Sequence, residues 1–301
     1  MLLTHLFGHV KWFVDTPTVA TPSLTTPELL IVIACVLGGL GVFYGLGRFL
    51  EAQGWYKRLV KRCSAYHEWA ELVARLVLGF VLIEASRTIC LFAPNIYPTQ
   101  DYTWYRGALL ITGALLIAGL ATRTAAAIGG LLFLLAGLWV PAGELLEHFE
   151  VLGLAAYVLL EGGGTMSLNH LLGQTKSRLK AYQAYALPFF RVGVGVSFIT
   201  LALSEKLLNI DLGLSFLANH HWNFMSVAGV SDRCFVLFAG TMELILGAAL
   251  ILNFASRVVI LMIAGMLVLT AAILGVTEVA GHLFGIALVL AIWLDKTPAK
   301  K

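Results

Sequence analysis

Two sets of opposite charges lie inside otherwise apolar stretches of this 301-residue chain: Glu84 with Arg87, and Glu205 and Lys206 with Glu243. A charge in apolar surroundings survives by meeting an opposite charge or a hydrogen-bond partner, and such residues mark ligand or ion sites. Glu84 and Arg87 are three residues apart, so on a helix they share a face and can neutralise each other. The pair has two readings. It is either an ion pair that fixes packing, or half of a pocket in which Arg87 holds an anionic or quinone-like headgroup. Glu205 and Lys206 close a later apolar stretch, where Lys206 can snorkel to the interface or turn inward. Glu243 sits about eight residues into the next stretch. A carboxyl at that depth needs a cation, a donor or a proton, and Lys206 on the preceding stretch is the natural cation.

Histidines and one tryptophan complete the candidate chemistry. His148 and His282 each follow a glutamate by four residues (Glu144 and Glu278), which places Glu and His on one helical face. They suit helix capping or interfacial anchoring better than haem ligation, because two histidines without further spacing say little about haem. Trp222, in Asn219-His220-His221-Trp222-Asn223, suits an interfacial anchor or a stacking surface for a ligand. There is no GxGxxG before a helix, no Walker loop, no HExxH and no GxSxG. The four cysteines form no C-x-x-C pair and no zinc-like spacing, so neither a dithiol relay nor a metal centre is expected. The Gly41-x3-Gly45 spacing and the pair Gly193 and Gly195 fit close helix packing and not phosphate binding.

The elements that must position these residues are apolar helices. Hydrophobic residues make up 59% of the chain and charged residues only 12%, about half of what a soluble domain carries, so lipid is the expected solvent. The net charge of +3 and the lack of a basic tract argue against a nucleic-acid partner. Runs able to cross about 30 Å of hydrocarbon lie near 28–49, 70–93, 106–122, 124–141, 185–207, 235–253 and 256–276, with shorter ones at 145–160 and 279–294. Leu2 to Val14 is too short to span and reads as interfacial, and nothing in it resembles a cleaved signal peptide. Arg48, Lys57, Arg58, Lys61, Arg62, Lys176, Arg178, Lys180, Arg123, Arg257 and the terminal lysines all fall on one side of a nine-span arrangement. By the positive-inside rule that side is cytoplasmic, with the N-terminus outside and the C-terminus inside an inner (cell) membrane. The loops of the other side carry Asp101, Glu144, Glu147, Glu150, Asp211, Asp232 and Glu278.

The chain also repeats itself. Residues 108–123 match 242–257 at eight of sixteen positions, at an offset of 134 that also carries Glu144, His148 and Glu161 onto Glu278, His282 and Asp295. Upstream, Arg75-x3-Gly79 matches Arg191-x3-Gly195 at an offset of 116, so the second copy holds 18 extra residues, expected to form an Ω-like loop or short helix over an outer cavity. The fold read from this is all-α and integral to the membrane, with one leading helix and two pseudo-symmetric four-helix bundles. Its parts are 1–69 (interfacial segment, first span, basic loop), 70–161 (first unit), 162–184 (linker) and 185–301 (second unit).

Within the second unit, Arg191-x3-Gly195, Ser204-Glu205-Lys206-Leu207, Met242-Glu243-Leu244 with Gly247, and Arg257 resemble the DoxX-like family of four-helix membrane proteins. The family includes a subunit of thiosulfate:quinone oxidoreductase and membrane partners of thiol-stress enzymes. The resemblance implies a quinone- or redox-linked role for Lys206 and Glu243 in an oxidoreductase subunit. A protein partner would supply electrons or be matured, because the chain has no redox motif of its own. In the first copy Ile89, Cys90 and Leu109 stand where the second has Glu205, Lys206 and Glu243, with Glu84 and Arg87 as candidate substitutes. A small-molecule transporter and a non-catalytic scaffold are the competing expectations.

Overall fold

The computed structural model of the chain describes residues 24–88, 92, 103–174, 178–274 and 283–296. The segment 2–14, Ile89, Cys90, Asp101, Lys176, Glu278, His282, Lys300 and Lys301 lie outside the described residues. Among the described residues every regular element is helical. The helices are α1 (Thr26–Ala52), α2 (Gly54–Cys63), α3 (His67–Arg87), α4 (Thr103–Ala118), α5 (Thr122–Ala136), α6 (Ala142–Glu147) and α7 (Glu150–Glu161). They continue with α8 (Leu168–Leu171), α9 (Ala186–Leu201), α10 (Ile210–His220), α11 (Asp232–Leu252), α12 (Ser256–Leu274) and α13 (Leu283–Trp293). Three helical stretches are long and apolar enough to cross a bilayer: Thr26–Ala52, Leu179–Leu207 and Asp232–Leu252. Shorter apolar helices, including α4, α5 and α13, accompany them. This composition fits a protein solvated by lipid.

Helix α1 begins at a capping box. The Glu28 amide donates to Thr25 Oγ1, while the Thr25 amide donates to Glu28 Oε2 at 2.8 Å. The same carboxylate receives Arg233 of α11 through two contacts, Nε to Oε1 at 2.7 Å and Nη2 to Oε2 at 2.8 Å, so cap and docking share one group. Most of α1 faces outward, with Ile31 and Val42 each more than 60% exposed and only Val32 and Phe43 buried. That is the surface expected of a helix in contact with acyl chains.

The remaining helices pack as α3 on α4, α4 on α5 and α5 on α7, and likewise α9 on α11, α11 on α12 and α12 on α13. Helix α7 lies against α9, and α13 against α3. Two of these contacts depend on bare backbone. A Cβ on Gly79 would stand 2.9 Å from the Gly113 carbonyl oxygen, and one on Gly195 would stand 2.6 Å from that of Gly247. Small residues at such crossings let helices approach where lipid supplies no hydrophobic force between them. Gly193 meets Gly153 in the same way across the α7–α9 contact. The Gly41-x3-Gly45 pair does not: a Cβ on either would meet nothing within 4 Å, and the packed glycines of that helix are Gly39, against Ile245, and Gly47, against the backbone of Ala255. The sequence spacing was satisfied by the face of α1 that points away from the bundle.

Arginines finish several helices. The Arg75 guanidinium, 2% exposed, donates to the carbonyls of Leu116 and Ile117 at the end of α4 and to that of Met166. Arg123 does the same for Leu159, Leu160 and Glu161 at the end of α7. Terminal carbonyls have no intrahelical partner, so a cation there supplies both hydrogen bonds and a favourable end to the helix dipole.

The stretch 145–160 is not one helix. It is divided between α6 and α7 around His148 and Phe149, which turns the chain inward. The extra residues of the second unit contain α10, whose Gly213 packs against Val236. Valine at Gly195 should overpack its crossing and cost about 1–3 kcal/mol of stability. We expect Gly195→Val and Gly79→Val to lower the thermal midpoint of the detergent-solubilised protein, with Gly41→Val at the wild-type value.

Candidate functional site

Helix α9 does not stop at Leu201 but widens into a π-helical turn over Ala202–Leu207, where one extra residue per turn projects two charges sideways. The turn lies against α11 at Gly240, where a Cβ would approach Lys206 Cβ to 2.9 Å. From here Lys206 Nζ reaches Glu243 Oε2 at 2.9 Å, and Glu205 Oε2 stands 4.0 Å away on the other side. All three side chains are largely withdrawn from the surface, Glu205 almost completely at 1% exposure. Lys206 therefore faces a carboxylate inside the bundle, and the snorkelling expectation does not apply. A Coulomb interaction at this separation is several times stronger than in water, and it offsets part of the cost of withdrawing both charges.

Two further carboxyl groups join the same cavity, and the sequence had placed both in a solvated loop. Glu147 is 3% exposed and accepts from Ser204 Oγ at 2.7 Å. Glu150, at the start of α7, accepts from Ser197 Oγ, while its own amide donates to that hydroxyl at 3.0 Å. His148 lies between them with Nδ1 at 3.4 Å from Glu150 Oε1. Glu147, Glu150, Ser197, Glu205, Lys206 and Glu243 line one cavity of about 150 Å³. The inward turn between α6 and α7 buries these groups by packing them on α9. A signal for this was present: Ser197 and Ser204 are seven residues apart, two turns on one face of an apolar helix.

Lys206 and Glu243 also form the wall of a second cavity, of about 300 Å³ and quite different character. Here Phe216 and Trp222 face Phe235, Phe238 and the thioethers of Met242 and Met262. Trp222 meets Phe216 edge-on at 5.8 Å, and its indole Nε1 is buried with no acceptor among the described residues. A flat, apolar, aromatic ring with polar atoms at its ends would find stacking surfaces, a cation, a carboxyl and an indole donor here.

Glu84 and Arg87 are elsewhere. They pair at 3.3 Å on α3, Arg87 is exposed, and neither lines the two cavities around Lys206. Arg106 ties down the same helix end by donating to the carbonyls of Ser86 and Arg87. Leu109, at the repeat position of Glu243, is fully buried. His282 lies outside the described residues. A third, polar cavity of about 570 Å³ opens near the end of α7, lined by His67, Glu71, Arg123 and Glu161. Among the described residues no group of three or more His, Cys, Asp or Glu side chains is arranged to hold a metal ion.

No protein-family model, no curated protein and no solved structure matches this chain.

Removing Lys206 leaves Glu243 and Glu205 without their shared cation, a loss of about 3 kcal/mol or more for a buried pair. We expect Lys206→Met to lower the thermal midpoint strongly and the double variant with Glu243→Gln to recover much of it, as a double-mutant cycle measures.

Proposed function

We propose that the chain is the membrane subunit of a quinone-linked redox system, of DoxX-like type, and that its second unit binds a lipophilic ring carrying carbonyl oxygens. The observation that carries this reading is the position of the Lys206–Glu243 pair, in the wall shared by an aromatic cavity and an acidic one. In this reading Lys206 holds a ring oxygen as negative charge develops on it, and Glu243 gives or takes the proton that accompanies it. Glu205, Glu147 and Glu150, in the same acidic cavity, are groups with which that proton can exchange. Reduction of such a ring needs two electrons, which a protein partner would deliver.

The same proposal takes the chain as one leading helix and two copies of a four-helix unit in a nine-span arrangement, with the N-terminus outside. Several matched details support the duplication. The Gly79–Gly113 and Gly195–Gly247 crossings fall at repeat-equivalent positions, as do the positive-φ residues Ala121 and Ala255 (φ 48° and 46°). The contacts of α7 with α9 and of α13 with α3 are exchanged by the same operation. One copy would then hold the reactive pair, and the other would keep Leu109 in its place.

A transporter is the second reading, favoured by the polar cavity at the far end of α7. Glu150 and Glu161 begin and end that helix, eleven residues or about 16 Å apart, so polar space lies at both of its ends. The two readings separate cleanly. Purified protein should carry co-extracted quinone, and a short-chain quinone should quench its tryptophan fluorescence, with at least tenfold weaker binding in Glu243→Gln and Trp222→Leu. Unchanged binding in both variants would refute the quinone site. Alternating accessibility of cysteines placed at Ser197 and Thr124 would establish transport instead.

A further inference from the structure

Helix α2 follows α1 after the single residue Gln53 and divides its residues between two faces. At about 100° per residue, Trp55, Tyr56, Leu59, Val60 and Cys63 fall within an arc of about 140°, and Lys57, Arg58, Lys61 and Arg62 fall within an arc of similar width on the opposite side. All four cations are exposed, and none is held in an ion pair among the described residues. Arg48 adds a fifth just before the helix, and Glu51 is the one acidic residue between 48 and 63. The apolar side is covered by protein only in part: Tyr56 is buried, while Trp55 is 53% and Leu59 is 39% exposed. Nearby, Tyr66 and Trp69 present 62% and 53% of their surfaces to the outside.

We propose that α2 lies in the plane of the membrane interface and is a binding surface for anionic phospholipid headgroups. A free helix with this division of residues exposes apolar area to water on one side and uncompensated charge on the other. Laid on the bilayer, the first side enters the acyl boundary and the second meets phosphate. Its place at the end of a helix long enough to span fixes it at the depth where Trp and Tyr collect, so the occupant of stated charge at that level is the lipid leaflet itself. Each cation near an anionic surface multiplies affinity about fivefold, and the effect fades within a Debye length, so it is salt-sensitive. Helix α2 lines none of the three cavities, so this lipid surface is independent of the quinone site.

The test uses the full chain reconstituted in vesicles of equal phosphatidylglycerol and phosphatidylcholine. Native mass spectrometry after gentle extraction should find phosphatidylglycerol enriched on the wild type. That enrichment should fall at least threefold in the variant K57Q/R58Q/K61Q/R62Q, or when extraction is done in 1 M salt. Retention unaffected by both changes would overturn the proposal. Depth is measured separately, with all charges but one intact, by spin labels at L59C and R58C in a cysteine-free background. The label at 59 should relax with dissolved oxygen and the label at 58 with a water-soluble nickel chelate; equal exposure of both to the chelate would also overturn it.

Discussion

Lys206 and Glu243 stand 2.9 Å apart in a bundle whose outer surface is apolar, and neither charge could remain there alone. Lipid cannot hydrate an ammonium or a carboxylate, so the two must be brought together by elements that hold them at fixed depth. The π-helical turn at the end of α9 does this on one side, because the extra residue swings Lys206 off the helix line. The straight run of α11 does it on the other, and Gly240 allows the two backbones to close. The carboxyl groups of Glu147 and Glu205, which are buried, and of Glu150, which is half-buried, extend the same demand for donors. Ser197 and Ser204, placed two turns apart on α9, serve Glu150 and Glu147.

Backbone polar groups face the same constraint as side chains. The carbonyls that end α4 and α7 have no partner within their own helices, and Arg75 and Arg123 reach them instead. Glycine crossings let helices meet through main chain, and the resulting dispersion contacts replace the hydrophobic force that lipid removes. Charged residues in this protein therefore serve two ends. Some finish helices, and one group gathers beside an aromatic chamber.

The sequence exposed part of this and hid part. The partnership of Lys206 with Glu243 was readable because each interrupts a long apolar stretch on neighbouring helices. Glu147 and Glu150 were hidden by their position, since polar residues beside a helix break look like a solvated loop until α9 is seen packed over them. Arg123 looks like a topology marker and Arg75 like part of a repeat motif in a one-dimensional chain, and their capping role appears only when helix ends converge. The Gly41-x3-Gly45 spacing misled for the reverse reason. A small-residue stripe specifies a possible contact but not whether a partner helix lies on that face. Glu84 and Arg87 form a local pair, as three-residue spacing allows, but local spacing could not tell that the aromatic cavity belongs to the other half of the chain.

The carboxylate of Glu28 has an effect on the order of assembly. It caps the first turn of α1, yet its partner Arg233 is 205 residues further along the chain. During synthesis the first helix can wind as soon as Thr25 and Glu28 meet, but its dock does not exist until about three quarters of the protein has been made. For that interval α1 waits in the lipid with its cap complete and its mooring unmet. The last long helices to emerge are then what converts a collection of inserted segments into a closed assembly.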